Sequence, residues 1–138
     1  MRVLGIDFGF KRIGIAIAET GFGVITPRPP IAATGVLSRD ADNLDALAKR
    51  EQADRLVLGL PIEEDGNLGK MARVCQTVAD HLKTKGHTVD FVDERYSSVE
   101  AERELRETDL KASQRRKLRD GEAARILLER YLETLEKT

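Results

Sequence analysis

Apolar residues in this chain follow two patterns. Val3, Leu4 and Ile6, then Ile13 to Ala18, then Arg55 to Leu60 (RLVLGL), then Thr88 to Val92 form short, dense runs. Runs of this length bounded by glycine, proline or charge predict strands, the denser ones buried on both faces. Elsewhere the spacing is helical. Met71, Val74, Cys75, Val78, Ala79 and Leu82 fall at i, i+3, i+4, i+7, i+8 and i+11, with Gly86 placed to end the helix. Leu44, Leu47 and Ala48 mark an earlier helix that Ser38, Asp40 or Asp42 can cap. Ser97 followed by Glu100 gives a capping-box signal for another, running to about Glu107. Ala124, Leu127, Leu128, Tyr131, Leu132 and Leu135 define the inner stripe of a long final helix from about Arg115 to Glu136.

The first two strands are close enough to form an antiparallel hairpin. A third starts at Val24 to Thr26, but Pro27, Pro29 and Pro30 exclude a regular central strand. An edge position or a break is expected there, with Ile31 to Val36 resuming the strand. After residue 40 strands and helices alternate, which predicts parallel pairing and an α/β fold.

The 138 residues suit one domain spanning 1–138. Hydrophobic residues make up 41% and charged residues 34%, the balance of a folded globular chain. No apolar run approaches the ~20 residues of a membrane span, and the N-terminus carries no signal-peptide pattern. The single cysteine, Cys75, lies in a core stripe and excludes both an intrachain disulfide and a cysteine zinc cluster. A cytoplasmic location is the expectation. Net charge is only −1, but charge is unevenly spread: acids dominate 40 to 65, while 111 to 119 (KASQRRKLR) carries five positive charges and no negative one.

Asp7 stands out against this background. It interrupts an apolar strand, where an ionised carboxylate is costly unless it is paired, hydrogen-bonded or bound to metal. Asp93 and Glu94 follow a predicted parallel strand, at the end where open α/β sheets carry their sites. Asp120 lies four residues before Ala124, on the inward stripe of the last helix, among the small residues Gly121, Ala123 and Ala124. Asp7, Glu94 and Asp120 therefore form a candidate metal-binding and catalytic triad. Oxygen-only ligands suit Mg²⁺ or Mn²⁺, and two ions about 4 Å apart can carry phosphodiester hydrolysis. Lys11, Arg12, Arg95, Arg115, Arg116, Lys117 and Arg119 are the matching candidates for holding a nucleic-acid backbone.

Four blocks, GIDFGFKRIGIA, VLGLPIEEDGNLG, DERYSSVEAE and DGEAARILLERYL, together resemble the YqgF family, also called RuvX, over nearly the whole chain. That family is related to the RuvC resolvases within the RNase H-like superfamily. The resemblance implies an RNase H-like fold, a five-stranded mixed sheet flanked by helices. It implies a nuclease that matures the 5′ end of pre-16S rRNA, with Holliday junction resolution as the older proposal. By motif, Asp7 is the first-strand acid, Glu94 the acid of the DER block and Asp120 the acid of the last helix. No acid ends RLVLGLP, where RuvC-type resolvases keep one, so resolvase activity does not transfer simply. Two other classes compete. A non-catalytic RNA-binding assembly factor would bind without cutting. An ATP-dependent phosphotransferase also begins with D-x-G and a hairpin, but needs a second domain. A monomer or weak homodimer is expected: symmetric junction cutting would favour a two-fold dimer, whereas processing a single strand end needs only a monomer, and no dimer seam is legible.

Overall fold

The computed structural model describes residues 1–61, 69–93 and 112–136, with the side chains of the last stretch described over 121–135. Five strands form one mixed sheet: β1 (Arg2–Phe8), β2 (Arg12–Glu19), β3 (Val24–Ala32), β4 (Arg55–Leu60) and β5 (Val89–Asp93), in the order β3-β2-β1-β4-β5. β1 pairs antiparallel with β2 and parallel with β4, and β4 pairs parallel with β5. Helices α1 (Leu37–Arg50) and α2 (Lys70–Thr84) cover one face, and α3 (Ala112–Glu136) covers the other.

β1 is central, and the alternation of its side chains feeds two cores. Leu4, Ile6 and Phe8 join Ile13, Ile15, Ile17, Leu56 and Leu58 against α1 and α2. Val3 joins Ala16, Ala18 and Val57 against Ala124, Leu127, Leu128 and Tyr131 of α3. Gly5 belongs to the second face, directly beneath Leu128. Glycine and alanine at 5, 16 and 18 keep this face shallow, so α3 sits close to the sheet. Gly121 continues the seam, where an added Cβ would lie 3.1 Å from Pro27 Cβ. At the other end of α3, Arg55 donates to the Tyr131 hydroxyl at 2.8 Å and that hydroxyl donates to Asp90 at 2.6 Å, tying the helix to β4 and β5.

The prolines act as expected of an edge. β3 pairs only with β2 among the described residues, and its register slips by one residue between the Ile13–Ile31 and Ile15–Arg28 pairs, at Pro29 and Pro30. The strand runs unbroken through them but stops at Ala32, so residues 33–36 do not extend it as the sequence suggested. α1 then starts at Leu37, with extended Val36 before it and no side-chain cap. None of the three polar candidates caps the helix. Asp40 turns inward instead, 1% exposed, and accepts from Thr34 N–H and Thr34 Oγ1, both at 2.8 Å. Its carboxylate secures the loop before the helix in place of the helix's own first N–H groups. α2 ends as its glycine indicates: Gly86 has φ +95°, Gly86 N–H bonds to Lys83 O and His87 N–H to Leu82 O, a Schellman closure. The helix expected over Ser97 to Glu107 lies outside the described residues.

Candidate active site

Asp7 lies near the carboxyl end of β1, opposite Gly14 of β2, and is half-buried. It has the parity of Val3 and Gly5, which places it on the α3 face, one step beyond the contact between Gly5 and Leu128. The ladders to β2 and β4 fix β1 on both edges, so the position of this carboxylate is set by the centre of the sheet.

Asp120 is the ninth residue of α3, inside the helix and not at its start. It immediately precedes Gly121, whose backbone approaches Pro27 and the Arg28 carbonyl of β3. Asp7 and the helix bearing Asp120 thus occupy the same layer of the molecule. The Asp120 side chain lies outside the described ones, and Glu94 and Arg95 lie outside the described residues. Among the described residues there is no cluster of three metal-ligating side chains.

Asp93 ends β5 opposite Leu60. By alternation it shares the parity of Val89 and Phe91, which pack against the α1 and α2 core, while its carbonyl accepts from Arg130 of α3 at 3.4 Å. The donors on the Asp7 side are oxygen donors. Cys75 is buried in the other core, and His87 pairs with Asp45 of α1 at 2.6 Å. This chemistry fits a hard cation such as Mg²⁺ or Mn²⁺ better than zinc.

Of the basic candidates, Lys11 sits in the β1–β2 turn and Arg12 opens β2, at the same end of the hairpin as Asp7, the first exposed and the second half-buried. Arg115, Arg116, Lys117 and Arg119 all fall within the first turns of α3, which begins earlier than its apolar stripe suggested, and their side chains lie outside the described ones. Sequence reading passed over two features at this end of the sheet. One is the small-residue seam beneath α3, which only strand pairing reveals. The other is Phe10, an aromatic in the β1–β2 turn that is 62% exposed; its position between Gly9 and Lys11 was the available signal.

A family model described as "RuvX: Holliday junction resolvase" matches residues 1–134. The chain belongs to the RuvX family. A relative from Moorella thermoacetica, named "Putative pre-16S rRNA nuclease", is 37% identical over 140 residues, covering 98% of this chain and 96% of its own. One of the same name from Syntrophomonas wolfei is 39% identical over 134 residues, covering 96% and 94%. Among solved structures, Thermus thermophilus RuvC in complex with a Holliday junction substrate superposes with a TM-score of 0.61 at 14% identity, over 97% of this chain and 96% of that one. That likeness establishes the fold of this RuvX-family chain as RuvC-like and α/β, with the mixed five-stranded sheet expected of the RNase H-like class. No helix among the described residues is long and apolar enough to cross a membrane.

Proposed function

We propose that this chain is a divalent-metal-dependent nuclease that hydrolyses phosphodiester bonds, with the 5′ end of pre-16S rRNA as its substrate and ribosome biogenesis in the cytoplasm as its setting. The carrying observation is Asp7, a half-buried carboxylate at the carboxyl end of the central strand, on the face covered by the helix that contains Asp120. The relatives named for pre-16S rRNA processing support the choice of substrate.

Asp7, Glu94 and Asp120 would hold the cations. Glu94 is taken over Asp93 by its place in the DER block. When bound, Mg²⁺ or Mn²⁺ supplies an activated water and stabilises the departing oxygen. The chain's own residues orient the phosphodiester. Lys11 on the β1–β2 turn and Arg12 at the start of β2 hold phosphates beside Asp7, and Arg95, Arg115, Arg116, Lys117 and Arg119 extend the positive track. The start of α3 supports this use of its basic run. Its first turn contains no acid, and Arg115 falls in that turn. A helix N-terminus favours a bound anion, and the basic residues that follow would add to that attraction.

A side-by-side cleavage assay on a pre-16S rRNA fragment and a four-way DNA junction tests the reading, using wild type and Asp7→Asn. Mg²⁺-dependent trimming of the RNA, absent in Asp7→Asn, is expected. Preferential cutting of the junction would reassign the substrate to DNA. RNA binding with no cleavage of either substrate would make the chain a non-catalytic assembly factor.

A further inference from the structure

Among the described residues, the large exposed aromatics are Phe10, 62% exposed, and Phe22, 85% exposed, in the turns at opposite ends of β2. An eight-residue strand separates them by about 26 Å. Single exposed apolar side chains are ordinary, so exposure alone assigns neither a role. Their settings differ. Phe22 lies in the β2–β3 turn, at the far end of β2 from Asp7. Phe10 is three residues beyond Asp7, at the carboxyl end of β1, followed directly by Lys11 and Arg12.

The turn that presents Phe10 is braced on both sides. Phe8 and Ile13 form the last pair of the hairpin. Gly9 is so close to the Arg12 carbonyl that an added Cβ would lie 2.5 Å from that oxygen. The Lys11 carbonyl accepts from Ala33 N–H at 3.0 Å, and Arg12 pairs with Ala32, which ties the turn to the end of β3. The neighbouring Phe8 enters the core and is 4% exposed, while Phe10 is left outside. A rigid turn thus offers an aromatic face to solvent, with cations on the next two residues. Unpaired nucleic acid is recognised by this combination: cations track the backbone, and a fixed aromatic ring stacks on a base of any identity.

We infer that Phe10 is a stacking platform that seats an unpaired base of single-stranded RNA beside Asp7, aligning the scissile phosphate while Lys11 and Arg12 hold the backbone. The inference rests on the nuclease reading for its substrate class. It also gives that reading a preference, because a base inside a duplex presents no free face and an unpaired end does.

The sequence contains no tryptophan, so Phe10→Trp creates a single indole reporter and Phe22→Trp its matched control. The probe is a short mixed-sequence single-stranded RNA, titrated in EDTA so that binding is read without cleavage. Phe10→Trp emission is quenched on titration and Phe22→Trp emission is not. By anisotropy with 5′-labelled RNA, Phe10→Ala weakens binding about 10-fold with an unchanged salt slope, whereas Lys11→Ala lowers the slope. Phe10→Tyr restores affinity and Phe10→Leu does not, which separates stacking from simple apolar contact. Wild-type affinity in Phe10→Ala, or equal quenching at positions 10 and 22, overturns the assignment. Cleavage with an unchanged KM in Phe10→Ala does so too, while leaving the nuclease reading intact. Quenching at position 10 in a protein that cuts no substrate sustains the platform and removes the nuclease.

Discussion

Gly5→Ala is the sharpest test of how α3 is held over the sheet. A Cβ at Gly5 would lie 2.6 Å from Leu128 Cγ and 2.9 and 3.0 Å from its two Cδ atoms. Carbon contacts relax at about 3.5–4.0 Å, so roughly 1 Å of separation has to be found. Leu128 is 0% exposed, and its neighbours Ala124 and Leu127 are equally buried, so it cannot swing into solvent. Overpacking of this kind costs about 1–3 kcal/mol, while replacing glycine returns about 0.4–1 kcal/mol through the unfolded chain. A net loss of about 1–2 kcal/mol is expected in urea denaturation. Leu128→Ala alone should cost about 2–5 kcal/mol by leaving a cavity. In the double variant the new methyl partly fills that cavity, and the pair should be less destabilising than the sum by about 1–2 kcal/mol. Activity should fall further than stability, since displacement of about 1 Å in a catalytic constellation can cost about 10²-fold in rate. Neutral Gly5→Ala, or strict additivity with Leu128→Ala, would refute the close seam.

Further outcomes are expected elsewhere. Asp7→Asn should lower cleavage by about 10³-fold, the scale of several kcal/mol of lost metal-assisted stabilisation, and EDTA should do the same to wild type until Mg²⁺ or Mn²⁺ is restored. If Asp7 shares the proposed site with two further acids, this variant should melt no lower than wild type in EDTA, because removing one of three neighbouring carboxylates relieves repulsion; a clear loss of stability would make Asp7 a structural acid. The hydrogen bond from His87, with help from Lys49, holds the Asp45 carboxyl below its usual range. That stability is present above the unfolded value near pH ~3.9 and is lost as pH falls through the lower folded value. Urea titrations at descending pH should show the loss in wild type and a shallower one in Asp45→Asn. Burial, and then the bond to Asp90, raise the Tyr131 hydroxyl above its usual range. Its contribution is full below the unfolded value near pH ~10 and declines as pH rises through the folded value; Tyr131→Phe should flatten the alkaline limb of the stability profile.

Most of the sheet was legible because its strands announce themselves by unbroken apolar runs. RLVLGL coincides with β4, and the hairpin and the proline-marked edge appear where expected. The start of α1 was misread because polar residues near a helix start can serve the preceding loop. Asp40 does so by binding Thr34, and nothing local distinguishes that choice from capping. Asp7 could be singled out because a carboxylate in an apolar strand is anomalous on its own. Glu94 was preferred to Asp93 by motif and not by geometry, since the face of a terminal strand residue depends on register with its neighbour. The pairing of Asp93 with Leu60 supplies that register and gives Asp93 the parity of Val89 and Phe91, while its carbonyl accepts from Arg130 of α3.

The two acids on described elements are positioned by unequal means. Asp7 belongs to a strand paired on both edges and buried on both faces, so its place is as firm as the sheet itself. Asp120 belongs to a helix whose height over the sheet depends on glycine and alanine at 5, 16, 18 and 121, residues that contribute little apolar area of their own. They matter by what they leave vacant. Side chains added along this seam displace α3 while most of the core opposite, from Leu4 to Leu82, stays packed. The spacing between the acids should therefore be lost before the fold is. Gly5, Ala16 and Ala18, unremarkable as strand formers, set the height of α3 over the sheet and so belong to the proposed site as much as its acids do.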